Sequence, residues 1–96
     1  MAKSKHDKVA EFLARKFDTE YKSDKGIDVV TAARAIEVEV KKESLNQGLN
    51  QIVRSSKARY LAVTPGIVKI ALELTKGKGV GVMSSTGRII KKAGRN

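Results

Sequence analysis

A chain of 96 residues with no cysteine and a net charge of +10 is long enough for one domain, and it excludes disulfides, cysteine-held zinc or iron–sulfur clusters, and a thiol nucleophile. A hydrophobic fraction of 41% without an apolar run near the ~20 residues needed to span a bilayer excludes a membrane-spanning chain. The single histidine, His6, falls in an N-terminal stretch expected to be mobile, which argues against a serine–histidine hydrolase and leaves carboxylates, lysines and a hard cation for any catalysis.

The charge is unevenly placed. Residues 1–43 carry ten basic and nine acidic side chains, whereas 44–96 carry ten basic ones and a single acid, Glu73. A field of that sign attracts phosphate polyanions and releases their counterions, so nucleic acid is the expected partner. The basic start of the chain runs into an amphipathic segment and not into an apolar leader with a cleavage site, which predicts an intracellular protein.

In chain order, Val9, Phe12, Leu13 and Phe17 mark an amphipathic helix over 6–17. A short strand is expected over 19–22, a turn at Ser23-Asp24-Lys25-Gly26, a strand over 27–31 and a longer alternating strand over 35–42. In that alternation Ile36, Val38 and Val40 point one way and Glu37, Glu39 and Lys41 the other. Leu45, Leu49, Ile52 and Val53 mark a second helix, followed by a polar stretch at 55–59 and a buried strand over 60–63. Thr64 as N-cap, Pro65 at the first helical position, and Ile67, Ile70, Ala71 and Leu74 predict a third helix ending at Gly77. A hairpin of 80–83 and 88–91 closes the chain, with frayed ends at 1–5 and 93–96. The order α-β-β-β-α-β-α-β-β is an α/β class with a mixed sheet flanked by helices in one domain, 1–96.

Asp28 precedes Glu39 by eleven positions on neighbouring strands. Antiparallel pairing sets both carboxylates side by side, with the long Lys41 side chain two residues further on the same face. Two carboxylates, a backbone carbonyl and waters suit Mg²⁺ or Mn²⁺, hard ions that take oxygen ligands. Beside two acids the Lys41 ammonium stays charged and is suited to neutralising a phosphoryl-transfer transition state. Glu37 shares this face and is expected to be exposed to solvent. The alternative reading of the trio is an exposed strand face with a surface ion pair, in a basic DNA-binding protein that does not cut.

Gly26-Ile27-Asp28-Val29-Val30 followed by Ala35-Ile36-Glu37-Val38-Glu39-Val40-Lys41 resembles the PD-(D/E)xK nuclease superfamily, and within it the archaeal Holliday-junction resolvases and their small relatives, with Ile27 in place of the family's proline. The resemblance implies a restriction-endonuclease-like αβββαβ core and a divalent-metal-dependent endodeoxyribonuclease with Asp28, Glu39 and Lys41 as catalytic residues. It also implies a metal held by Asp28, Glu39 and the Val40 carbonyl, DNA as substrate (duplex or branched, such as a Holliday junction), a homodimer, and a prokaryotic, cytoplasmic, nucleoid-associated setting in DNA recombination or repair. Gln51 resembles a glutamine that relatives turn towards the metal, or is one of several exposed amides in 45–51. An acid on the first helix, common in relatives, aligns near His6 or Asp7 on one alignment and at Glu11 on another.

Lys78-Gly79-Val80-Gly81-Val82-Met83 has the outline of an RNA-recognition strand but lacks the aromatic rings that would stack on bases. The glycines at 77, 79 and 81 do not form a phosphate-binding P-loop, and are expected to end the third helix and permit close packing.

Overall fold

The computed structural model describes residues 4–21 and 27–94. Helix α1 (Lys5–Lys16) starts at Ser4, whose Oγ accepts the Asp7 N–H at 3.1 Å, with Asp7 in the first turn and Arg15 and Lys16 in the last. Both ends therefore suit the helix dipole. The buried face is Val9, Ala10, Leu13 and Ala14, whereas Phe12 is 50% exposed. The helix is turned from the predicted stripe because two alanines let it approach the sheet.

Its C-terminus is a Schellman motif: the Thr19 N–H donates to the Ala14 carbonyl at 2.8 Å and the Asp18 N–H to Arg15 at 3.2 Å, with Asp18 at φ 58°. That left-handed position favours glycine. Asp18→Gly is expected to stabilise the protein by about 0.5–1 kcal/mol in urea denaturation; an unchanged or lower midpoint would contradict this.

The expected strand over 19–22 is reduced to one antiparallel bridge, Tyr21 to Val29, and the Ser23–Gly26 turn lies outside the described residues. Strand β1 (Val29–Val30) pairs antiparallel with β2 (Arg34–Glu39), joined by a tight turn in which the Thr31 hydroxyl accepts the N–H groups of Ala33 and Arg34. After a 3-10 turn at Lys42–Ser44 comes α2 (Leu45–Ile52), which buries Leu45, Gly48, Leu49 and Ile52. Strand β3 (Ala58–Val63) begins two residues earlier than expected and lies parallel to β2. Thr64 stands at the N-cap and Pro65 at the first helical position, as expected, but the Thr64 hydroxyl makes no capping bond. It reaches the Val40 carbonyl at 3.5 Å, Pro65–Ile67 is a 3-10 turn, and α3 is only Val68–Leu74. Strand β4 (Gly81–Ser84) lies parallel to β3, and β5 (Ile89–Lys91) returns antiparallel at the edge.

The result is a mixed α/β fold, a five-stranded sheet in the order β1-β2-β3-β4-β5 between two helical layers. On one face α1 packs on Val29, Ile36, Val38, Tyr60, Ala62 and Met83. On the other, α2 and α3 cover Ala35, Leu61, Val63, Val80 and Val82. Strand β2 is thus covered on both faces. The glycines do as expected: Gly77 and Gly79 have positive φ after α3, and a Cβ at Gly81 would lie 2.6 Å from backbone atoms of Lys91 and Ala93. Of the ends expected to fray, residues 1–3 and 95–96 lie outside the described residues, whereas Lys5 begins α1, the Ala93 N–H donates to the Tyr60 hydroxyl and the Gly94 N–H to the Gly79 carbonyl. Among the described residues no helix is long and apolar enough to cross a membrane.

Candidate functional site

The alternation of β2 places Glu37 and Glu39 on the face covered by α2, opposite Ile36 and Val38. Because Val29 pairs with Ile36 and Val30 with Ala35, Asp28 stands across from Glu37 and diagonal to Glu39. The expected side-by-side placement of Asp28 and Glu39 is therefore off by one pleat. Glu37, expected at the surface, is only 9% exposed, as is Asp28, and Glu39 is 7% exposed. The reason is the layer above: the stripe of α2 needs an apolar surface to cover, finds it on Ala35, Leu61 and Val63, and encloses the acids between them.

Each acid has a distinct set of partners. The Asp28 N–H donates to Glu37 Oε1 at 3.0 Å, and Asp28 Oδ2 accepts the Val38 N–H at 2.9 Å. Carboxylates thus take over from the ladder where β1 departs from β2, which is why β1 is so short. Glu39 runs under α2 against Gly48: a Cβ there would meet the Glu39 side chain, with Cδ at 2.7 Å and Cγ at 2.9 Å. Only glycine leaves room for the acid at that point.

Burial, the neighbouring Asp28 charge and Glu39 push the Glu37 carboxyl up from 4.5 to about 8, while its bond from the Asp28 N–H holds it down in part. Burial raises Glu39 as well, with the Ser44 hydroxyl opposing and Asp28 adding to the rise. Among the described residues no lysine or arginine lies within ion-pair distance of Asp28, Glu37 or Glu39. Three buried acids thus share one sheet edge, and among the described residues the one cationic candidate within ion-pair distance is His6, whose Nε2 lies 3.0 Å from Asp28 Oδ2.

His6 is not in a loose N-terminal stretch. It sits half-buried in the first turn of α1, where its Nδ1 faces the Tyr21 hydroxyl at 3.4 Å. The same hydroxyl donates to Asp7 Oδ1 at 2.7 Å, which lowers the Asp7 carboxyl and, together with burial, raises the Tyr21 phenol. Of the α1 residues weighed from the sequence, His6 is the one that touches the acids; Asp7 is turned to Tyr21, and Glu11 lines a separate polar cavity with Arg15, Thr19 and Glu20. A signal for His6 was present, because 6, 10, 13 and 17 are spaced as one helical face.

Lys41 follows β2 in an extended conformation and is exposed, and its carbonyl accepts the Ser44 N–H and hydroxyl. Gln51 is half-buried on α2, one turn beyond Gly48 and on the same side of the helix. The Val40 carbonyl accepts from Thr64. The donor chemistry of this edge, three carboxylates and a strand-end carbonyl, fits a hard divalent cation. Among the described residues no three His, Asp or Glu side chains converge on one point as a ready-made ligand set.

Comparison of the chain with family models, curated proteins and solved structures finds no match.

Proposed function

We propose that this protein is a divalent-metal-dependent endodeoxyribonuclease with a restriction-endonuclease-like core. The observation that carries the reading is the gathering of Asp28, Glu37 and Glu39, buried and without a lysine or arginine partner among the described residues, at one edge of an otherwise strongly basic chain. Buried like charges without countercharge are costly, and a cation bound among them relieves that cost. The basic field draws in the phosphate backbone that such a cation acts on.

In this reading Asp28, Glu39 and the Val40 carbonyl hold Mg²⁺ or Mn²⁺. The ion, when bound, polarises a phosphodiester oxygen and makes water a better nucleophile at neutral pH. Lys41 donates to a non-bridging phosphate oxygen and neutralises charge that grows in the transition state. Gln51 orients the attacking water from α2. Without the ion Glu37 keeps a proton at Oε2, Oε1 being engaged with the Asp28 N–H, and so lessens repulsion among the three acids. A branched substrate and a homodimer with two such sites complete the proposal, resting on the sequence resemblance.

A second reading has its own observation. Asp28 is already bonded to Val38 and His6, so the acids can also serve only to close the β1–β2 ladder of a DNA-binding protein. Incubating labelled four-way junction, linear duplex and single-stranded DNA with Mg²⁺, Mn²⁺ or EDTA separates the two. Cutting that requires the metal is expected, with the junction cut best; tight, salt-sensitive binding without cutting under every metal condition would sink the nuclease reading and leave the second.

A further inference from the structure

At the other end of α2 lies a cavity of about 530 Å³, lined by Ser55, Ser56, Lys57, Arg59 and the chain at Ala93 and Gly94. Because Arg59 pairs with Ala35 and Val63 with Glu39, the cavity is four residues, about 13 Å, along the sheet from the Glu39 level. It is thus separate from the acid cluster.

Arg59 is the unusual residue here. It is only 9% exposed, and among the described residues its one hydrogen bond runs from Nη1 to the Val53 carbonyl at the end of α2, at 3.2 Å. That bond satisfies the helix terminus and leaves most of the five guanidinium donors free. Among the described residues no acid lies within ion-pair distance of the guanidinium, and no fully enclosed side-chain nitrogen lacks a partner. Arg59 lines the cavity, and its unbonded donors are not sealed from solvent.

The walls suit an anion. They come from residues 44–72 and 74–96, two runs without a single Asp or Glu. The Ser55 Oγ accepts the Lys57 N–H at 3.1 Å, so its own O–H can donate. Lys57 adds positive charge at the rim while its ammonium is anchored on the Thr31 carbonyl at 2.6 Å. The wall at 93–94 is fixed by the bonds to Tyr60 and Gly79.

We propose that this cavity is a phosphate-binding site, with Arg59 gripping the oxyanion through its unused N–H groups and the serine hydroxyls completing the shell. A guanidinium fork matches two phosphate oxygens in a way that an ammonium cannot. The site stands whether or not the acid cluster cuts DNA.

The test is titration of the intact protein with inorganic phosphate, and separately with a duplex of twelve base pairs lacking terminal phosphates, followed by ¹H–¹⁵N NMR. Saturable phosphate shifts confined to the Arg59 Nε–H and to the amides of Ser55, Ser56 and Lys57 are expected. Arg59→Gln should weaken binding by about tenfold or more, and Arg59→Lys by less. Duplex that competes for the same signals identifies the nucleic-acid backbone as the ligand; phosphate binding indifferent to duplex identifies a small phosphate compound. Shifts that spread without saturation over the exposed lysines, or an affinity unchanged by Arg59→Gln, would overturn the proposal. Should the glutamine variant not fold, the localisation of the wild-type shifts decides.

Discussion

Glu39→Ala is expected to lower the rate of metal-dependent DNA cleavage by about 10²- to 10³-fold while the chain still folds and binds DNA. The two properties separate because Glu39 makes no ion pair with a described lysine or arginine and its charge is disfavoured by burial, so its removal costs packing but no electrostatic stabilisation. Gly48→Ala provides an independent approach to the same side chain. The added methyl occupies the space of the Glu39 carboxyl, and either the acid is driven from under α2 or the helix lifts. A stability loss of about 1–3 kcal/mol is expected, together with a fall in cleavage comparable to that of Glu39→Ala. Full cleavage in a folded Gly48→Ala protein would mean that the placement of Glu39 beneath α2 has no part in activity. Chemical denaturation and single-turnover cleavage, measured on the same samples, check both.

The second large effect is on stability against pH. Glu37 titrates near 8 in the folded protein and at its ordinary 4.5 when unfolded. Between those values the folded state holds a proton that the unfolded chain has released. The stability contributed by this group is therefore complete below pH 4.5, declines as pH rises, and is lost above about 8, with a limiting slope of about 1.4 kcal/mol per pH unit. Glu37→Gln keeps the shape of the side chain and an oxygen for the Asp28 N–H but cannot ionise. It is expected to be more stable than wild type at pH 8.5 by about 1–2 kcal/mol, some 5–10 °C in melting midpoint, and to lose the decline between pH 5 and 8. Thermal melts across that range decide the matter; a variant that melts below wild type at pH 8.5 would contradict the assignment. Saturating Mn²⁺ is expected to flatten the wild-type decline in the same way, because a cation among the acids favours their charged forms.

Much of the architecture was legible in the chain. Apolar spacing at 3.6 and 2.0 residues located α1, β2, α2, β3 and the closing hairpin, and proline and glycine placed the boundaries of the third helical region near Pro65 and Gly77. Alternation alone put Glu37 and Glu39 on one face and Ile36 and Val38 on the other, since the period of a strand is a property of its backbone. The charge asymmetry, with one acid after residue 43, likewise needed no structure.

What alternation cannot supply is depth. A face of a strand is solvent or interior according to what packs on it, and that was settled when α2 folded over Ala35, Leu61 and Val63 and enclosed Glu37. Register was equally out of reach: the separation of Asp28 and Glu39 is the same whether they stand opposite or one pleat apart, and it is the early departure of β1, with carboxylates bonding the freed N–H groups, that sets Glu37 across from Asp28. His6 and Asp28 are 22 positions apart, and Arg59 meets the chain at 93–94 across more than 30. Contacts of that range depend on the stacking of α1 on the sheet and on the return of β5, interactions that no local pattern in the sequence encodes.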